Sequence, residues 1–141
     1  MRANTPSGGR IFYFAGDVDR CYGRTHLPDL GDLLANAVKW AVFDKLPLRV
    51  EGPGYLDCKL YRHDKRMILH VINLSGCNQT PGYVEEIYPV GPITVSIKIT
   101  DFVPERTLLK GSGIQANPEL QGSWATICIG TVRDHEFIIM E

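Results

Sequence analysis

The spacing of apolar residues changes at Pro47, and a chain that uses two spacings must build two kinds of structure. Before it, Leu30, Leu33, Leu34, Ala37, Val38, Ala41 and Val42 fall at helical intervals and line one apolar face. Asp29 suits the N-cap and Asp32 adds charge to the first turn. The helix is expected to end near Asp44, ahead of Pro47. After Pro47 the period is two, which extended strands satisfy and helices do not.

In residues 47–141, "YLDCKLYR" puts Leu56, Cys58 and Leu60 on one side and Asp57 and Lys59 on the other. "HDK" reads as a turn into "RMILHVINL", so the two runs form a hairpin. "ITVSIKIT" turns Ile93, Val95, Ile97 and Ile99 inward and Thr94, Ser96 and Lys98 outward. A short strand around Arg106–Leu109, one at "SWATICIG" and a last one at "HEFIIM" complete the set. Short strands separated by frequent turn signals predict an antiparallel β-sandwich.

Residues 1–46 are expected to form a separate strand–helix unit. In "RIFYFAG", Ile11, Phe12, Tyr13 and Phe14 are consecutive and bulky, the pattern of a parallel strand buried on both faces. The loop after it is expected to lead into the helix. Such a strand needs parallel neighbours and covering helices. This segment supplies one strand and one helix, so the chain is expected to be the C-terminal part of a larger protein. The strand is then expected to pair with another domain or another copy of itself.

The charge balance narrows the partners. With 15 basic and 16 acidic residues the formal net charge is −1, which argues against a nucleic-acid partner bound through a broad basic field. No apolar run approaches the roughly 20 residues of a helical membrane span. "MRANTPSGGR" has no apolar segment of the secretory kind, and Cys21, Cys58, Cys77 and Cys128 contain no CxxC pair. Both features favour a cytoplasmic location. Cys58 and Cys128 lie in strand patterns and are expected to be buried, reduced thiols.

"GRIFYFAGDVDRCYG", followed by "LPDLGDLLANAVKWA", resembles the closing strand and helix of an amidotransferase-like, flavodoxin-like domain of bacterial glycoside hydrolases. In that family the domain follows a catalytic (β/α)8 barrel and is called the β-galactosidase trimerisation domain. "VEGPG", "ILHVINLSG", "PVGPITVSIKI" and "HEFIIME" resemble the small C-terminal β-sandwich of the same proteins. The resemblance implies a mainly β chain: a sandwich over 47–141, preceded by a remnant of the flavodoxin-like domain over 1–46. It implies no catalytic residue here, because the carboxylates of that family lie on the barrel, which needs about 250 residues. No cofactor or metal is implied.

Several residue groups have chemistry to weigh. Asp17, Asp19, Arg20, Arg24 and His26 lie after the first strand, where α/β folds place ligands. They can bind a ligand or cation, or they can cap the loop and face a neighbouring domain or subunit. Cys21 has His26 five residues on, without a third group to orient it. His70 lies between Leu69 and Val71 and reads as a hydrogen-bonded core or edge histidine, and Asn73 is expected to bond loop backbone. Asp134, His135 and Glu136 mimic a metal cluster, but alternation turns His135 away from its neighbours. Glu85 and Glu86 read as solvated surface rather than the paired carboxylates of glycoside hydrolysis. Tyr83, Tyr88 and Trp124, with Tyr55 and Tyr61, offer rings for stacking a carbohydrate or for packing. Three functions follow: a non-catalytic accessory region for interdomain packing or oligomerisation, a carbohydrate-binding sandwich, or a small self-contained enzyme acting at the Asp17–His26 loop.

Overall fold

The computed structural model describes residues 2–4, 9–76 and 86–141, so Cys77, Tyr83 and Glu85 lie outside the described residues. The chain divides into two compact units, Met1–Leu46 and Pro47–Glu141.

The first unit contains strands β1 (Arg2–Asn4) and β2 (Ile11–Tyr13) and helices α1 (Val18–Thr25) and α2 (Pro28–Ala41). β2 pairs antiparallel with β1, with Ala3 opposite Phe12. This corrects the expectation of a parallel strand buried on both faces. Ile11 and Tyr13 are 56% and 60% exposed, whereas Phe12 and Phe14 turn the other way and are half-buried. Phe12 stacks against Phe14 and meets Trp40 of α2 edge-on, the ring centroids 4.8 and 5.9 Å apart. Four bulky residues in a row fit either pattern. α2 covers one face of β2, and no other described element of this unit covers the opposite face.

The segment after β2 also departs from expectation, being helix α1 rather than loop. Its signal is the pair Val18 and Tyr22, one helical turn apart, but Gly23 and the surrounding charges mask it. The Tyr22 ring lies over Gly31, where a Cβ would come within 2.8 Å of a ring carbon, so glycine lets α1 approach α2. α2 starts at Pro28, whose fixed φ suits a first helical position, with Leu27 rather than Asp29 in the N-cap position.

The second unit is the antiparallel β-sandwich. Its strands are β3 (Leu48–Glu51), β4 (Leu56–His63), β5 (Arg66–Asn73), β6 (Ile93–Lys98), β7 (Thr107–Leu109), β8 (Ile114–Ala116), β9 (Glu119–Gln121), β10 (Trp124–Ile129) and β11 (His135–Met140). One sheet has the order β3-β6-β10-β9 and the other β4-β5-β11-β7-β8. The β4–β5 hairpin runs from Leu56 opposite Asn73 to His63 opposite Arg66. Its turn holds Asp64 at φ 52°, a conformation aspartate tolerates better than most residues.

The core lies between the sheets. Ile93, Val95, Ile97, Ala125, Ile127 and Ile129 face Met67, Leu69, Val71, Leu109, Ile138 and Met140. The inward set read from "ITVSIKIT" is buried throughout. The cysteine expectation is corrected for Cys128, which is exposed: with Ile127 and Ile129 inward, alternation turns Cys128 out beside Thr94. Cys58 is half-buried, and its burial, followed by the charge of Asp57, pushes the thiol up from its ordinary range.

One buried polar side chain fastens the loops at the end of the hairpin. Asn73 donates from Nδ2 to the carbonyls of Tyr88 and Arg133, each at 2.7 Å, and its Oδ1 accepts from Ser75 N at 2.9 Å. Asn73→Ala is expected to lower stability by about 2 kcal/mol, since it strands buried backbone groups from three loops. Urea unfolding of the two proteins checks this. A loss below about 0.5 kcal/mol would mean that water replaces the amide.

Candidate functional site

The charged segment Asp17–His26 is accounted for by the ends of α1. Asp17 occupies the N-cap position without a side-chain cap bond, and its carboxylate lies 3.6 Å from Arg20 one turn on. Both side chains are exposed, so the pair contributes little to stability. Asp19 sits in the first turn and Arg24 in the last, each matching the helix dipole. His26 closes the helix at φ 50°, donates its backbone N–H to Tyr22 O and sets its ring edge-on to Tyr22. The structure does not gather the two aspartates around a point. Among the described residues no group of three or more His, Cys, Asp or Glu side chains is placed to hold a metal ion.

What the first unit offers instead is apolar surface. Of the α2 stripe only Ala37 is buried; Leu30, Leu33 and Leu34 are half-buried, and Val38 and Val42 are exposed. Ile11, Tyr13, Leu27 and Phe43 of this unit are exposed as well. Phe43 is ordered by Arg10, whose guanidinium lies 3.8 Å from its ring centroid and 4.9 Å from that of Trp40. Arg10 Nη1 also donates to Trp40 O at 2.7 Å. This clamp holds the chain entering β2 against the end of α2.

The aromatic residues of the sandwich do not form the shared platform that their types suggest. Trp124 opens β10 and is half-buried, with the Arg49 guanidinium over its ring at 4.3 Å. Tyr88 lies beyond the opposite end of that strand, beside Asn73 and Arg133, and its hydroxyl donates to Glu86 at 2.9 Å. Tyr61 instead joins a cluster that sequence reading did not assemble. His70, His135 and Phe137 meet on the outer face of the five-stranded sheet, and Tyr61 sits edge-on to His70. The alternation of β5 and β11 points all three outward, but only the strand register shows that they touch. His135 faces out while Glu136 faces in, as alternation requires.

Glu136 is buried, and its carboxylate accepts from the backbone N–H groups of Gly111 at 2.6 Å and Ser112 at 3.0 Å. It ties the β7–β8 turn to β11. A cleft of about 570 Å³ opens beside that turn, lined by Leu109, Ile114, Ala116, Ile127 and Ile129, with no charged side chain in its wall. Such a lining can hold an apolar group; its polar side chains are those of Ser112, Asn117, Cys128 and Thr131, with no carboxylate or imidazole among them.

No protein-family model and no curated protein matches this sequence. Among solved structures, the chain is similar to α-L-fucosidase isoenzyme 2 from Paenibacillus thiaminolyticus, with a TM-score of 0.75 at 16% identity. The chain has a fold found within a glycoside hydrolase. The likeness covers 95% of this chain but 21% of the fucosidase chain, so it spans about a fifth of that protein. At this identity the likeness is one of fold.

Proposed function

We propose that the chain is a non-catalytic C-terminal accessory region of a glycoside hydrolase, serving interdomain packing or oligomerisation. The first unit is the packing element, read as the remnant of an amidotransferase-like domain, and the sandwich is its structural companion. The observation that carries this reading is the uncovered apolar surface formed by Ile11, Tyr13, Val38, Val42 and Phe43. Surface of this kind marks a contact with another domain or subunit. The fold likeness to part of a fucosidase supports the glycoside hydrolase setting.

Light scattering on the full chain tests the packing role. The expected result is concentration-dependent association to a mass above the 15.8 kDa of one chain. Ile11→Asp with Val38→Asp is expected to return it to a monomer with an unchanged sandwich spectrum. A chain that is monomeric at high concentration and binds no upstream domain of its parent protein would sink the reading. Glycan binding that is lost in Trp124→Ala or Tyr88→Ala would favour the carbohydrate-binding alternative. Hydrolysis of nitrophenyl glycosides by this chain alone would overturn both.

A further inference from the structure

We propose that His70 and His135 form a binding site for a late first-row divalent metal ion on the outer face of the five-stranded sheet, tightest for Cu²⁺. His70 Nδ1 and His135 Nε2 approach to 3.2 Å, from residues that are 65 apart in sequence. Nitrogens at that separation, each about 2.0–2.1 Å from a shared ion, subtend about 100° at the metal, between the right angle of tetragonal copper and the tetrahedral angle of zinc. Imidazole suits copper, nickel and zinc, and affinity rises along that row to copper.

The surroundings hold the pair in place. The rings are stacked at a centroid distance of 5.2 Å, and Phe137 packs on both, 3.9 Å from His135 and 4.7 Å from His70. Tyr61 closes the other side of His70 at 5.5 Å. Both histidines are half-buried, so the approach from solvent stays open. The χ2 torsion of histidine is soft, so each ring can turn toward a shared ion. Two imidazoles leave the remaining coordination positions to water or to a ligand oxygen.

Charged groups flank the pair on β4, at the end of β7 and just before β11. Lys59 stands opposite His70 and would oppose a cation, but Asp57 lies 3.3 Å from its ammonium and offsets it. Tyr61 is a further titratable neighbour, Asp134 accepts the backbone N–H of His135 at 2.8 Å, and Lys110, just after β7, donates its backbone N–H to Phe137 O. Without metal, one imidazole N–H must donate to the other nitrogen, and two protonated rings would repel. Metal and protons therefore compete for the same lone pairs.

The test is titration of the chelator-stripped full chain with Cu²⁺, followed by calorimetry and electron paramagnetic resonance. The expected result is one ion per chain at neutral pH and a spectrum with two imidazole nitrogens. His70→Phe and His135→Gln, which retain ring packing and polarity respectively, are each expected to weaken binding at least tenfold. His26→Ala and His63→Ala are expected to leave it unchanged. A spectrum with fewer than two imidazole nitrogens overturns the proposal even if the variants fail to fold. So does the lack of stoichiometric binding, or affinity unchanged in both variants.

Discussion

Leu69→Ala is expected to destabilise the sandwich by about 3–4 kcal/mol, the largest effect of any single truncation considered. Leu69 is fully buried at the middle of β5, with Leu60 opposite it on β4 and Ile138 opposite it on β11. All three point into the core, so the deleted atoms leave a void between paired strands that hydrogen bonding prevents from closing. The loss combines the transfer free energy of the removed isopropyl group with the cost of the residual cavity. For a domain of this size it corresponds to a fall in melting temperature of roughly 15–20 °C. Chemical denaturation measured alongside Thr94→Ala provides the comparison. Thr94 is exposed on β6, and its truncation is expected to change stability by no more than about 0.5 kcal/mol. Equal effects from the two would mean that the sheets do not pack as described.

Glu136→Ala is expected to cost about 3 kcal/mol by a different mechanism. The side chain is only 3% exposed, and its carboxylate is the acceptor for Gly111 N–H and Ser112 N–H. Charge-assisted hydrogen bonds of this kind are stronger than neutral ones, and removing the acceptor leaves two partly buried donors unpaired. The turn between β7 and β8 is the part expected to loosen. Hydrogen exchange at Gly111 and Ser112 should accelerate more than exchange in the β4–β5 hairpin. Glu136→Gln, which keeps one acceptor oxygen and the volume, should fall between the wild type and Glu136→Ala. An alanine variant as stable as the wild type would show that the turn does not depend on this carboxylate.

Glu136 also shows how far reading a sequence can go. Alternation puts it on the face opposite to His135, and the structure shows that this is the inward face. A charge facing a core implies a partner, but nothing in the run says that the partner is a turn about 25 residues upstream. Asn73 was legible in kind, as a side chain bonded to loop backbone, but not in its carbonyl partners at Tyr88 and Arg133. α1 was missed because its helical signal rests on two residues, Val18 and Tyr22, among charges that favour a loop reading. β3, β8 and β9 are three or four residues long, too short for alternation to stand out from chance.

By itself the sequence determined the change of period at Pro47, the helical face of α2 and the inward residues of β6. These follow from local rules: a helix repeats every 3.6 residues and a strand every two, wherever the segment ends up in the fold. Tertiary structure alone decided that β11 lies between β5 and β7, that β6 lies between β3 and β10, and that β2 pairs antiparallel with β1. It also brought His70 to His135 and left Ile11, Tyr13 and Val38 uncovered. Strand order depends on how distant segments share one core, and a residue's own neighbours in sequence carry no record of that choice.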